Sequence, residues 1–274
     1  MILKNEFIQI KVDQVGAELI SLIDLSHDVE YMWQKSSTWW NRTSPVLFPF
    51  IGVTNHNQIK IEGKTYPTTK HGFLRDKIMD VVVGEDSLEF IYTSNKEDFA
   101  VYPYKFKLSM IYKLEGRKVH IQYVLENLND YEMLYSLGGH PAFNFSKGDV
   151  AIYEGNDAKR YELEGPFISE IHPENVSEIV LDETAFTNDA IIHSGIHAIT
   201  LKSKDKSIRV DFSDFDYVGL WSMIKEDEMA PFVCVEPWHG LPDFVGYEGE
   251  LSQKLGIQKV ESQGKVVLNL SLEI

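Results

Sequence analysis

The chain has 274 residues, and its 26 Lys and Arg against 42 Asp and Glu leave a formal net charge of −16. Such an acidic balance argues against nucleic-acid binding, because contact with a phosphate backbone requires a basic surface. The single cysteine, Cys234, excludes an internal disulfide and a zinc site built from a cysteine cluster, and we interpret it as a small buried hydrophobic residue. The N-terminus carries charge where a signal peptide requires an apolar run, so a cytoplasmic location is expected.

Alternation of apolar and polar residues with period two dominates the chain, and this pattern predicts β-strands. In chain order, these predicted strands are Phe7–Val12, Val81–Val83, Leu88–Tyr92, 104–112, 119–125, Ile208–Phe212 and Val266–Leu272. A Gly-containing turn at 114–117 separates two of them and predicts a β-hairpin.

Helical periodicity is nearly absent, and short helical turns are predicted only near Ser36–Asn41 and Asn95–Phe99. The polar stretch Glu162–Asn188 is interpreted as a long excursion over the surface. No linker or fixed-period repeat divides the chain, so residues 1–274 are expected to form one domain. Many short strands with few helices predict an all-β fold, either a sandwich or a barrel.

Several common catalytic motifs are absent from the sequence. There is no glycine-rich dinucleotide fingerprint, no phosphate-binding loop and no Gly-x-Ser-x-Gly nucleophile motif. His193 and His197 have a spacing seen in metal sites, but Gly195 lies between them in an alternating context. We therefore interpret both histidines as surface residues of a loop or strand, and not as metal ligands.

Three segments place ionisable residues among Gly, Pro and aromatic residues. In the first, 70–76, His71 and Arg75 are four residues apart and are expected on the same side of the chain. Arg75 offers a rigid set of hydrogen-bond donors for a polar ligand. The alternative is an Arg75–Asp76 surface ion pair beside a solvated histidine.

In the second segment, 137–144, His140 follows the glycine pair Gly138–Gly139 and precedes Pro141. Pro141 holds the histidine in an extended conformation, and the glycines allow close approach of another backbone or a ligand. Uncharged sequence neighbours predict a pKa of His140 near neutrality, as an acid or base requires. The alternative is a core histidine that is hydrogen-bonded to a carbonyl.

The third segment is an apolar strand that ends at Glu236, which Pro237 keeps extended. Partial burial is expected to raise the pKa of the carboxyl and make it a better proton acceptor at pH 7. Trp238 offers a flat face of the kind that stacks on a sugar ring. The alternative is an edge-strand glutamate beside a structural tryptophan. His140 and Glu236 lie near no nucleophile motif, which suggests a general acid paired with a general base.

Together with Pro45–Pro49, these three segments resemble the aldose 1-epimerase (galactose mutarotase-like) superfamily. The resemblance is closer to the branch of galactose mutarotase-related proteins. That branch often carries Pro-x-Leu-Phe-Pro, His-Gly-Phe-x-Arg, Gly-Gly-His-Pro-x-Phe-Asn and Glu-Pro-Trp in this order. The resemblance covers most of the chain and implies a large antiparallel β-sandwich, called a supersandwich, with a shallow sugar cleft.

The resemblance also implies roles for individual residues. Glu236 would take the proton of the C1 hydroxyl of a pyranose while His140 protonates the ring oxygen, so that the ring opens and recloses as the other anomer. His71 would assist at the ring oxygen or a nearby hydroxyl, and Arg75 would bind the sugar. Asp189 is the best match for an aspartate that holds sugar hydroxyls.

The resemblance implies no metal and no organic cofactor. The expected partner is a small-molecule sugar, with no nucleic-acid or membrane partner, and the chain is expected to be a monomer or a homodimer.

Val53 stands where many relatives carry an arginine that contacts the sugar. The missing donors would change the preferred sugar, or weaken affinity while sparing the chemistry. They also count against a phosphorylated hexose, which would need extra cations, although Arg42 and Lys70 could supply them. A neutral sugar fits the large acidic excess better.

The expected function is therefore interconversion of the α and β anomers of a hexose. Two alternatives stay open, a hexose-6-phosphate 1-epimerase and a non-catalytic sugar-binding protein of the same fold. A carbohydrate lyase or glycosidase on a related sandwich is a third, weakened because a glycosidase normally needs two carboxylates.

Overall fold

The computed structural model describes residues 1–274, which form β-strands, short 3₁₀-helices and connecting loops. The strands are β1 (Ile2–Lys4), β2 (Ile8–Val12), β3 (Leu19–Asp24), β4 (Val29–Glu30), β5 (Val46–Leu47), β6 (Gln58–Ile61), β7 (Lys64–Pro67), β8 (Asp80–Val83), β9 (Ser87–Thr93), β10 (Phe106–Glu115), β11 (Lys118–Asn127), β12 (Met133–Tyr135), β13 (Leu137–Gly139), β14 (Ala142–Phe143), β15 (Val150–Glu164), β16 (Phe167–Pro173), β17 (Glu178–Val180), β18 (Ile191–Lys202), β19 (Ser207–Asp211), β20 (Tyr217–Trp221), β21 (Ile224–Lys225), β22 (Glu228–Met229), β23 (Val233–His239), β24 (Gln258–Val260) and β25 (Lys265–Glu273). The 3₁₀-helices are Asn55–Asn57, Leu74–Asp76, Asp98–Ala100 and Leu251–Gln253. None of the helices has the length and hydrophobicity that crossing a membrane would require.

The predicted all-β class is confirmed, and every predicted strand overlaps an observed one. In the predicted hairpin, β10 and β11 pair from Phe106–Asn127 to Glu115–Lys118 around a turn that contains Gly116. Alternation predicts these strands well because one face of each strand is buried in the core while the other is more exposed.

The loop and helix predictions are less accurate. The 3₁₀-helix Asp98–Ala100 lies at the second predicted turn, but Ser36–Asn41 forms no helix. There the N–H of Ser36 donates to the carbonyl of Trp40, which is the reverse of the helical direction. The predicted excursion Glu162–Asn188 is also partly regular structure, because β16 and β17 pair with β15.

The two histidines interpreted as surface residues both lie on β18, but they differ in burial. His197 is exposed, whereas His193 is fully buried, so a surface position is wrong for His193. Its ring packs edge-on against Tyr153, and its Nε2 contacts the carboxylate of Glu174. Tyr153 and Glu174 cover this face of β18, and both are distant from His193 in sequence. The alternation of residues within β18 alone does not show that they lie there.

The largest sheet follows the strand order β5-β13-β23-β20-β18-β19-β25-β11-β10-β9-β8, with β14 also paired to β23 and β15 to β18. All of these pairs are antiparallel. The strand β23 therefore lies inside the sheet, with β13 on one side and β20 on the other.

A separate four-stranded sheet, β1 to β4, packs against the long sheet. Ile8 and Ile10 from the small sheet share one apolar core with Leu108 and Tyr112 from β10. The hydroxyl of Tyr112 donates to the carbonyl of Ala17 at 2.7 Å, so the buried polar group is satisfied. Burial of each large apolar side chain in this core contributes about 1.5–3 kcal/mol to stability.

Candidate active site

One cleft, with a volume of about 150 Å³, gathers all of the site residues predicted from the sequence. Its lining includes His71, Arg75, His140, Asp189 and Glu236. A buried water needs about 10–15 Å³, so the cleft has room for about ten waters, which is close to the number of non-hydrogen atoms in one hexose.

Glu236 projects into this cleft from the interior strand β23, opposite Gly219 of β20. The alternative of an edge-strand glutamate is therefore wrong, and the residue is only 2% exposed. Burial raises the pKa of the Glu236 carboxyl well above its ordinary value, Asp189 adds to the rise, and Lys70 opposes it. The sequence also predicted that burial raises the pKa of Glu236.

His140 follows β13 and faces Glu236, with its Nε2 3.2 Å from Oε2 of the carboxyl group. Its Nδ1 makes no hydrogen bond of normal geometry, although the backbone of His140 itself is close enough to favour the charged ring. Burial, reinforced by the positive charge of Lys70, lowers the pKa of His140 to about 3. The predicted pKa near neutrality is wrong because it considered only neighbours along the chain.

The close approach of β13 to β23 depends on Gly138. A Cβ at this position would lie 2.7 Å from the carbonyl oxygen of Pro237, closer than side-chain atoms pack. The glycine pair therefore permits close backbone approach, as predicted, and it places His140 beside Glu236.

Burial shifts the pKa values of His140 and Glu236 in opposite directions. Burial favours the neutral form of each group, a protonated Glu236 and an unprotonated His140. Moving that proton from the carboxyl to the imidazole gives a carboxylate base and an imidazolium acid without a change in total charge. The pair can therefore remove a proton from one atom of a ligand and deliver a proton to another.

His71 is buried, so the alternative of a solvated histidine is wrong. The N–H of Gly52 donates to its Nδ1 at 3.1 Å, which leaves the proton of the neutral ring on Nε2. Burial lowers the pKa of His71 well below its ordinary value. Gly72, at φ +73°, allows this placement, because a Cβ there would lie 2.1 Å from the carbonyl oxygen of Phe48.

The other charged residues of the cleft, Lys70, Arg75 and Asp189, are less buried than His71, His140 and Glu236. Arg75 is half-buried, and its Nη2 donates to the carbonyl of Lys70 at 2.8 Å. Its buried Nε makes no hydrogen bond. Asp76 lies 4.0 Å from that Nε, so the alternative surface ion pair also exists. Lys70 and Asp189 are exposed members of the lining, and Val53 contributes an apolar surface.

Aromatic residues form one wall beside His140. The ring of Trp40 lies 4.8 Å from the imidazole at 31°, and that of Trp221 lies 5.6 Å away at 87°. Both are partly exposed in the cleft, whereas Trp238 is 3% exposed and packs against Gly219. Trp40 and Trp221 are therefore the more accessible indoles of the cleft, and neither was predicted. The adjacent pair Trp39 and Trp40 was a signal for the first of them, whereas the sequence around Trp221 carries none.

Cys234 is fully buried, as predicted, and its Sγ lies within 4.8 Å of ligand atoms of His140 and Glu236. Burial and the charge of Glu236 raise the pKa of its thiol well above the usual value. The thiol therefore stays protonated at neutral pH and is not a nucleophile.

Lys70→Met is expected to move the pH dependence of any activity of this pair towards higher pH. The ammonium group lowers the pKa of both His140 and Glu236, so its removal raises both and shifts both sides of the profile in the same direction. The measurement is kcat/KM against pH, with the exposed Lys64→Met as a matched control. An unchanged profile in Lys70→Met would contradict the electrostatic role.

Comparison with known proteins identifies the class to which this fold and cleft belong. Residues 1–254 match the aldose 1-epimerase family, and the chain belongs to that family. Protein LacX, plasmid form, of Lactococcus lactis subsp. lactis is 30% identical over 283 residues, which span 94% of this chain and 93% of LacX.

Solved structures show the same fold. A galactose mutarotase-like protein from Lactobacillus casei superposes with a TM-score of 0.94 at 30% identity, covering 100% of this chain and 99% of that one. A galactose mutarotase related enzyme from Lactobacillus acidophilus gives a TM-score of 0.94 at 26% identity, covering 100% and 96%. The expected galactose mutarotase-like sandwich is thereby confirmed.

Proposed function

We propose that this protein is an aldose 1-epimerase, or mutarotase, that interconverts the α and β anomers of a hexose. The observation that carries the proposal is the buried His140–Glu236 pair, 3.2 Å apart, in a cleft of monosaccharide size. Membership of the aldose 1-epimerase family supports the same reaction class.

In the proposed mechanism, the carboxylate of Glu236 takes the proton from the C1 hydroxyl while the imidazolium of His140 donates a proton to the ring oxygen. The bond between C1 and the ring oxygen breaks and gives an open-chain aldehyde. Rotation about C1–C2 then presents the other face of the carbonyl to the C5 hydroxyl. His140 takes the hydroxyl proton, Glu236 returns its proton to the carbonyl oxygen, and the ring closes as the other anomer.

The other residues of the cleft would hold the ring during this rotation. The Nε2–H of His71 would donate to the ring oxygen or a nearby hydroxyl, because its Nδ1 already accepts from Gly52. Arg75 and Asp189 would bind further hydroxyls, and Trp40 and Trp221 would cover the C–H face of the sugar. Each step is a rotation about C1–C2 or a pair of proton transfers that accompanies cleavage or formation of the bond between C1 and the ring oxygen, so the mechanism needs no metal or organic cofactor.

A neutral hexose fits the charges around the cleft best. Arg42 is paired with Asp76 at 2.6 Å, Arg75 donates to a backbone carbonyl, and Val53 is apolar. The hexose-6-phosphate alternative is favoured by one observation, that Lys70 and Arg75 both line the cleft. The non-catalytic alternative rests on Val53, which replaces an expected sugar donor.

The proposal is tested by dissolving pure α-anomers of glucose and galactose, and of their 6-phosphates, and following optical rotation. Wild-type protein, dialysed against EDTA, is expected to accelerate the approach to equilibrium for a neutral hexose. If every sugar relaxes at the buffer rate, the enzyme proposal is wrong. Sugar binding by calorimetry in that case would identify a binding protein, and a preference for the phosphates would select the phosphorylated alternative.

A further inference from the structure

A buried ion pair lies behind one wall of the cleft and takes no part in the proposed chemistry. Asp243 and Lys254 are 3% and 6% exposed, and the Lys254 Nζ lies 2.5 Å from the Asp243 Oδ1. A buried pair of this kind is costly to desolvate and gives little net stability, so its presence calls for another role.

Asp243 fastens the chain segment that follows the cleft residue Val53. Its Oδ2 accepts the N–H of Asn55 at 2.8 Å, and its own N–H donates to the carbonyl of Val53 at 3.3 Å. Its neighbour Pro242 lines the cleft and packs against Gly52, where a Cβ would lie 2.6 Å from the proline ring. Asp243 and Pro242 thus contact residues 52–55 at three positions, Gly52, Val53 and Asn55.

The same segment fixes the orientation of His71. Gly52 donates its N–H to the imidazole Nδ1 at 3.1 Å, and its carbonyl accepts the N–H of His71 at 2.8 Å. A displacement of Gly52 would therefore move the imidazole and remove the bond that keeps its proton on Nε2.

We propose that Asp243, held in place by Lys254, is a positioning residue that sets the orientation and tautomer of His71 in the cleft. Asp243 does not line the cleft and acts through Asn55, Val53 and Gly52. The effect on turnover rests on the proposed function, whereas the effect on His71 does not.

Asp243→Asn tests the proposal, because asparagine offers one acceptor oxygen where the carboxylate serves both Asn55 and Lys254. Asp98→Asn is the matched control. Asp98 is also buried, accepts the N–H of Asn95 at 2.9 Å and lies 2.8 Å from the Lys77 ammonium, but its carboxylate makes no hydrogen bond to residues 52–55 or to His71.

Both variants are expected to lose thermal stability to a similar extent. Asp243→Asn should lower kcat/KM about tenfold, since small misplacements of a site residue reduce turnover strongly, while Asp98→Asn should stay within about twofold. In ¹⁵N NMR spectra, the imidazole of His71 should report the Nε2–H tautomer in wild type and Asp98→Asn, and a mixture of tautomers in Asp243→Asn.

Equal losses of kcat/KM in the two variants, or an unchanged His71 spectrum in Asp243→Asn, would overturn the positioning role. If wild type shows no anomer interconversion, the proposed function fails by itself. The NMR spectra and the calorimetric affinity for sugar then still decide the role of Asp243.

Discussion

Glu236→Gln is expected to lower kcat for anomer interconversion by about 10²–10⁴-fold, the usual contribution of a positioned acid or base. Glutamine has nearly the same shape but cannot accept the proton of the C1 hydroxyl at neutral pH. Because the proposed sugar contacts of His71 and Arg75 are not altered, KM should change much less than kcat. The measurement is optical rotation from a pure α-anomer over a range of sugar concentrations.

The same variant should be folded and more stable than wild type at pH 7. Burial raises the pKa of Glu236 in the folded protein above its ordinary value of 4.5, so wild type loses stability as the pH rises through the folded pKa. Glutamine removes this loss, and the difference in melting temperature should vanish below pH 4.5.

Glu154→Gln is the control and should keep wild-type kcat. Glu154 forms an ion pair with Arg209 and does not line the cleft. A Glu236→Gln variant with wild-type kcat would refute the role of Glu236 as base.

His140→Asn is expected to reduce kcat by about 10²-fold or more, because asparagine can hydrogen-bond to the ring oxygen but cannot donate a proton to it. The variant should also change the pH profile. In wild type, activity needs one proton on the His140–Glu236 pair, so it falls both at low pH, where a second proton binds, and at high pH, where the shared proton is lost.

Without the imidazole, the remaining activity depends on the carboxylate of Glu236 alone. It should rise through the pKa of Glu236 and then stay level, so the decline at high pH disappears. The profile of kcat/KM is the measurement, and His197→Asn, on the exposed face of β18, should keep the wild-type profile. A His140→Asn variant that retains both sides of the profile would contradict the assignment of His140 as acid.

Local patterns explain why so much of the fold could be predicted. Alternation located β10 and β11 because strand periodicity is carried by the residues of the strand itself. The loop at Ser36–Asn41 and the buried position of His193 were predicted wrongly. The ring of Trp40 packs on Trp221 and Phe232, and the ring of His193 packs on Tyr153, so both features depend on residues that are distant in sequence. Among cleft residues, Trp40 and Trp221 were missed, because only the packing of segments that are distant in sequence places both rings beside His140.

The sequence by itself determined that the protein is an acidic, nearly all-β chain with polar residues set among glycines and prolines at His71, His140 and Glu236. Those features follow from composition and from the local restrictions that Gly and Pro place on the backbone. Only the tertiary structure brought His140 to 3.2 Å from Glu236 and lowered the pKa of the histidine to about 3. Distances and pKa values of this kind depend on burial and on the charge of Lys70, which arise when distant strands pack together.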